Sequence, residues 1–463
     1  MASSWTRRDF LRCSTATAMG LSTPRSLLGL LGGGLAAGGA QAASGDYKAL
    51  VGLFFMGGND GFNVLVPRDT LRYATYAATR TNLALSQSSI LPLMSDLPPV
   101  PAAPPLVPYD YGLHPAMPEL KSMFRAGRAA FVANVGPLVQ PVTKADVQAK
   151  RYLPAQLYSH SDQQEQWMAY AANASPRLGW GGRAADLMAS ANSNPRLSMN
   201  ISIAGKNLFQ LGSSTVPYTL STSGVTKFQL MSGNAAANRR MSTFRSLLTQ
   251  ASADQAFEAY AGNMTTRSID LGLEVDAALT AAPTITTVFP TDALGSQLAM
   301  VARTIAAREK LGMSRQVFYV SMGGFDLHDS LLEEHPALLA SISKGLAAFD
   351  AAMTELGLSQ SVTTFTASDF GRTLTSNGDG TDHAWGNVHW VTGGAVKGGQ
   401  VYGSFPNQTY NGPDDAGNGR MSPTTSVDQY GATLLRWFGA SESDLDTIFP
   451  NLNRFASRGL GFV

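Results

Sequence analysis

Residues 48–61 read KALVGLFFMGGNDG, and the fold turns on them. Lys48 to Met56 is an unbroken apolar run, the mark of a strand buried on both faces, as in a parallel sheet covered by helices. Gly57-Gly58-Asn59-Asp60-Gly61 ends the run in a turn. The pattern returns twice. Gln316 to Met322 (QVFYVSM) leads into Gly323-Gly324-Phe325-Asp326-Leu327-His328, and Ser361 to Ala367 (SVTTFTA) leads into Ser368-Asp369-Phe370-Gly371-Arg372. Ala129 to Val135 is a further strand. Pro115 to Gly127 and Leu294 to Leu311 have helical spacing, and Leu331 to Leu356 contains a helix. The alternation predicts an α/β fold, a mainly parallel central sheet flanked by helices.

The middle of the chain has another texture. From about 190 to 235 it is rich in Ser, Asn, Thr and Gly, and Ser198 to Ile203 and Val216 to Leu220 read as small antiparallel strands. Residues 236–282 read as helical. The stretch 190–290 is therefore expected to be an inserted smaller α+β segment, an insertion or cap within a domain spanning 43–463. Prolines are frequent from Leu91 to Pro115, which reads as irregular loop.

Thr6-Arg7-Arg8-Asp9-Phe10-Leu11-Arg12, an Ala/Gly/Leu-rich stretch and Ala40-Gln41-Ala42 together read as a twin-arginine signal peptide over residues 1–42. A membrane anchor fits less well, because Arg25 interrupts the apolar stretch and the part after it is short and Gly-rich. The expectation is a periplasmic or secreted protein, exported folded, with the twin-arginine translocase as a partner during export. Cleavage removes Arg7, Arg8, Arg12, Arg25 and Asp9 from totals of 34 basic and 33 acidic residues, leaving 30 against 32 and a net charge of −2. That balance argues against a nucleic-acid partner. No later apolar run reaches spanning length, so no membrane span is expected in the mature chain. Cys13, the single cysteine, leaves with the signal, and with it any disulfide or thiol chemistry.

Asp60, Asp326 and Asp369 each follow an apolar strand, and the carboxyl ends of parallel strands line one crevice. His328 lies two residues after Asp326, and Asp382-His383 follows Asp369 across a Gly-rich loop. Gathered carboxylates repel unless a positive charge sits among them, and a divalent cation supplies one. Mixed Asp and His ligands suit zinc, manganese or iron. Each Asp alone is first of all a turn residue or helix cap. Asn377 to Asp382 could equally be a surface or weak calcium loop, lacking the closing Glu of an EF-hand.

Taken together, Met56 to Gly61, Gly323 to His328, Ser368 to Arg372 and Gly380-Thr381-Asp382-His383 resemble the marker motifs of an uncharacterised bacterial family, domain of unknown function 1501. The resemblance runs through most of the mature chain, to Trp437-Phe438-Gly439 and Phe449-Pro450-Asn451. That family is exported by twin-arginine signals and placed in the alkaline phosphatase-like superfamily. The resemblance implies an alkaline phosphatase-like fold and one or two divalent ions, zinc, manganese or similar, held by Asp60, Asp326, His328, Asp369 and His383. It implies a metal-dependent hydrolase of phosphate or similar oxyanion esters, with a small anionic ester as substrate. Ser159, in Ser159-His160-Ser161-Asp162 before a helical stretch, stands about where the superfamily places its nucleophile; such a Ser is also an ordinary N-cap. Asn59 and Arg372 flank the ligands and could meet a substrate oxygen or simply shape turns.

Phe370 departs from the pattern, standing where the superfamily commonly has a His or Asn ligand. With the unclear nucleophile, it favours the rival reading of a non-enzymatic, degenerate member acting in binding or assembly in the envelope. A formylglycine sulfatase is excluded by the lack of a mature Cys or a Ser-x-Pro-x-Arg motif, and a Gly-x-Ser-x-Gly elbow is missing. His114 reads as a loop or capping residue, His335 as surface, and His389 as core or as support for His383.

Overall fold

The apolar run at Lys48–Phe55 is strand β1 of a computed structural model that describes residues 46–93, 110–169, 177–227, 234–249 and 256–463. The twin-arginine segment, 1–42, lies outside the described residues. In chain order the other strands are β2 (Leu65–Pro67), β3 (Leu91–Pro92), β4 (Tyr111–Leu113), β5 (Ala129–Gly136), β6 (Asn200–Ser202), β7 (Tyr218–Thr219), β8 (Arg315–Met322), β9 (Val362–Ser368), β10 (Asn387–Thr392), β11 (Val401–Tyr402) and β12 (Thr425–Ser426).

The central sheet runs β11-β5-β10-β9-β1-β8-β6-β7, with β12 beside β5. Every pairing is parallel except those of β10, which runs antiparallel to β5 and β9. The fold is thus a mixed α/β architecture with a mostly parallel sheet. The reason for the unbroken hydrophobicity of β1 is visible in its pleat. Val51, Leu53 and Phe55 enter one core, with Leu298, Val301 and Leu346 of the helices Ala293–Ala306 and Leu331–Glu355. Leu50 and Phe54 enter a second core on the opposite face, with Tyr430 and Leu434 of the helix Val427–Phe438.

Register positions the site. Phe55 of β1 pairs with Met322 of β8 and with Ser368 of β9, so three strands end level with one another. The turns carrying Asp60, Asp326 and Asp369 therefore leave the sheet along one carboxyl edge.

Two expectations are corrected. The strands β6 and β7 are parallel, not antiparallel, and they extend the central sheet beyond β8. Leu91 to Pro115 contributes, among its described residues, β3 and β4 to a small antiparallel sheet ordered β2-β4-β3. Its Pro92 sits in an outer strand of that sheet, where a missing donor is tolerated. No helix among the described residues is long and apolar enough to cross a membrane.

Candidate metal centre

Asp326 is the centre of the site. Its turn presses against the turn after β1: Gly57 has φ +112°, and a Cβ there would come within 2.5 Å of the Asp326 amide. Arg372, fully buried after β9, donates from Nη1 to Asp326 Oδ1 (2.8 Å). Its Nε and Nη2 are held by Thr381 Oγ1 (3.2 Å) and the Thr381 carbonyl (2.6 Å), so the guanidinium is fixed against the carboxylate. An antiparallel bridge between Arg372 and His383 returns the chain to the same edge.

Three of the chain's six histidines converge on this one carboxylate. His328 Nε2 lies 3.0 Å and His383 Nε2 3.3 Å from Asp326 Oδ1, and the two nitrogens are 2.9 Å apart. His160 Nε2 approaches the other oxygen, Oδ2, at 3.4 Å. In each ring the second nitrogen faces an acceptor. His383 Nδ1 meets the Tyr158 carbonyl at 2.8 Å, His328 Nδ1 meets Asp382 at 3.4 Å, and His160 Nδ1 meets Asp369 Oδ2 at 2.6 Å. Each ring thus has an acceptor at Nδ1 and the Asp326 carboxylate at Nε2; a proton on Nδ1 leaves Nε2 free to bind a cation.

With Nδ1 protonated, the three Nε2 atoms form a donor set around one carboxylate. Burial lowers the pKa of His383, with Arg372 and His160 adding to it against the opposing Tyr158 hydrogen bond, and so favours the neutral ring. Burial works to raise the pKa of Asp326, but the Arg372 hydrogen bond and charge outweigh it and hold the pKa below its ordinary value. Arg372 supplies one positive charge to this group, and a divalent ion among Oδ1 and the Nε2 atoms would supply more. Ligands on an ion at about 2.1 Å stand roughly 3 to 3.4 Å apart, depending on geometry, and the triangle of Asp326 Oδ1, His328 Nε2 and His383 Nε2 matches that spacing. His160, Asp326 and His383 also offer one ligand atom each within 4.8 Å of one another. The donors fit a divalent metal, and their Nδ1 partners are of the kind that orient ligating histidines.

The other residues singled out by sequence are placed differently. Asp369 Oδ2 accepts from Gly57 N (3.1 Å), Gln164 Nε2 (3.0 Å) and His160, while its buried Oδ1 has no hydrogen-bond partner. Asp60 is buried in an ion pair with Arg80, at the end of the helix Thr70–Arg80, and its Oδ1 has no hydrogen-bond partner. Asn59 is turned toward the buried His335, whose Nε2 lies 2.9 Å from its Oδ1. Ser159 Oγ donates to Asp162 Oδ2 (2.6 Å) within its own helical turn, and it is the next residue, His160, that enters the site. Phe370 packs its ring on His160 (4.8 Å between centroids) and on His383 (4.6 Å).

His335 is not at the surface. It is 2 % exposed, and burial, with Arg80 and Arg372, pushes its pKa down to about 3. His114 accepts from Ala116 N, and His389 is core, its ring against Trp167. Sequence reasoning passed over His160, Gln164, Arg80 and the Tyr158 carbonyl. The one local signal was a histidine beside the candidate serine at a helix start.

Comparison with known proteins adds the family. Residues 47–423 match the family model described as Protein of unknown function (DUF1501). The chain belongs to that family. A search of curated proteins finds no match for this DUF1501 member. Among solved structures it is similar to the lipoteichoic acid synthase LtaP from Listeria monocytogenes, at 8% identity and TM-score 0.37, over 89% of this chain and 76% of that one. It is also similar to the PsFucS1 sulfatase from Pseudoalteromonas sp., at 10% identity and TM-score 0.33, over 87% and 70% of the two chains. A variant of the alkaline phosphatase PafA matches at 9% identity and TM-score 0.27, over 72% and 64%.

Proposed function

We propose that this DUF1501 protein is an exported, metal-dependent hydrolase of phosphate or similar oxyanion esters, working in the periplasm or outside the cell. One observation carries the reading: three imidazoles turn Nε2 toward a single carboxylate at the carboxyl edge of a mostly parallel sheet. The motif resemblance to the alkaline phosphatase-like superfamily supplies the reaction class. Asp326, His328 and His383 would hold the ion, with zinc, manganese or iron suited to that donor set. A bound divalent ion would supply Lewis-acid polarisation of the ester oxygen. The chain's own groups do the rest. Arg372 fixes the Asp326 carboxylate, Asp382 and the Tyr158 carbonyl set the tautomers of His328 and His383, and Asp369 orients His160.

The twin-arginine motif fits such a site. Asp326, His383 and His160 come together only in the folded chain, so metal could be loaded before a folded export step. Rerouting the chain through a signal for unfolded export should then yield protein poor in metal or carrying the wrong one. Normal metallation by that route would remove the argument.

The test of the activity is elemental analysis of the purified protein together with a panel of phosphate, phosphonate and sulfate esters. Stoichiometric metal with turnover, both lost in His383→Ala, is the expected result. The second reading, a non-enzymatic binding or assembly protein, is favoured by the ring of Phe370 in a ligand position and by the pairing of Asp60 with Arg80. Metal-free protein without turnover on the panel would establish it over the first.

A further inference from the structure

The geometry points to His160 as a covalent nucleophile, through a phosphorylated imidazole at Nε2, rather than to the neighbouring Ser159. The inference rests on the ester-hydrolase reading above and names the group that attacks. Ser159 spends its hydroxyl proton on Asp162 and has no hydrogen bond to Asp326, His328 or His383. His160 is held on three sides. Asp369, fully buried, takes its Nδ1 proton at 2.6 Å, and that carboxylate is itself fixed by Gly57 N and Gln164 Nε2. The Phe370 ring lies 4.8 Å from the imidazole and the His383 ring 4.4 Å from it. Nε2 therefore points one way, toward Asp326 Oδ2 at 3.4 Å.

Two readings compete for that nitrogen, a fourth metal ligand or an attacking group, and its place on the carboxylate favours the second. His328, His383 and Arg372 gather on Asp326 Oδ1, whereas His160 faces Oδ2. The triangle on Oδ1 closes without His160. Its Nε2 is the one of the three that meets the other oxygen of the carboxylate.

In the chemical step, the Nε2 lone pair forms a P–N bond as the P–O bond to the leaving alcohol breaks. The alcohol departs with that electron pair and takes a proton from solvent. The positive charge on the ring is shared with Asp369 through the Nδ1 proton. Water then attacks phosphorus, the P–N bond electrons return to Nε2, and the proton of the water passes to solvent. Neutral His160 is restored.

Two displacements at phosphorus give net retention of configuration. Hydrolysis of an aryl phosphate monoester made chiral with sulfur and oxygen isotopes should proceed with retention in the unaltered protein; inversion would overturn the inference. Rapid quenching of a single turnover of 4-nitrophenyl phosphate into alkaline denaturant should give a phosphoryl adduct that maps to His160 and is lost in acid. An adduct on Ser159 overturns it. His160→Asn should lose turnover by at least about a thousandfold with unchanged metal content, while Ser159→Ala stays within a few-fold of wild type. Metal loss in His160→Asn would make His160 a fourth ligand and end the proposal. A metallated protein that hydrolyses none of the ester panel would instead remove the hydrolase reading, and this inference with it.

Discussion

Asp382 stands half-exposed beside His328, its carboxyl held below the usual range by the Asn377 side-chain hydrogen bond against some burial, and further by His328. It faces the nitrogen that must keep its proton for Nε2 to serve as a donor. Asp382→Ala should weaken metal affinity by about 10- to 100-fold without removing a ligand, as read by competition with a chelator. Unchanged affinity would show that His328 keeps its tautomer without help. The residue scale is also where sequence reading reaches its limit. That Asp326 and His328 leave the same edge as Asp369 was legible from the strand-end turns, with His383 a Gly-rich loop further on. His160 was not, because what qualifies it is Asp369, 209 positions away. Nor did anything local announce that Arg80 would neutralise Asp60.

At the scale of elements, the turn after β1 and the turn after β8 are packed backbone to backbone. Gly57 can adopt φ +112° only because it lacks a Cβ, and the missing atom is also what admits the Asp326 amide. Gly57→Ala should cost on the order of 3 kcal/mol and lower metal occupancy with it, measured by denaturant unfolding and elemental analysis. A variant that keeps its metal while losing stability would show that the two turns are less tightly coupled than their contact implies.

The core strand β10 carries a different liability. Burial pushes the His389 pKa down to about 3 from its ordinary 6.5. Between those values the unfolded chain binds a proton that the folded chain does not. Stability is therefore full above pH 6.5 and falls as the pH drops toward 3, by up to about 1.4 kcal/mol per pH unit for one such group. His335 and His114, also held near 3 by burial, act in the same direction. Denaturation at pH 7 and pH 5 should show the loss, and His389→Gln should make it shallower; an equal slope in the variant would count against this assignment. The long strands β1, β8 and β9 and their helices could be read from hydrophobic runs. The direction of β6 and β7 could not, since elements of three and two residues carry too short a pattern to reveal which neighbour they join.

The whole molecule is organised around a strand from one end of the chain inserted between two from the other. Tyr47, just before β1, donates to Gln316 of β8 across 269 positions. β1 therefore leaves the ribosome long before either of its neighbours exists. At about 5–20 residues per second, that wait lasts on the order of tens of seconds. Throughout it the stretch KALVGLFF has two unpaired edges and two greasy faces in a crowded cytoplasm, a ready template for misassociation. A chain cut short after Gly312 should accordingly be insoluble or chaperone-bound, and one extended through Val463, which adds the helix over Leu50 and Phe54, should regain solubility, as judged by fractionation after synthesis in a chaperone-depleted extract. Equal solubility of the two would mean that β1 is sheltered by nearer sequence. The sheet thus stays unfinished for most of the time it takes to make the protein, and if the truncated chain proves insoluble, a holdase for the early strand matters to the site as much as the residues that compose it.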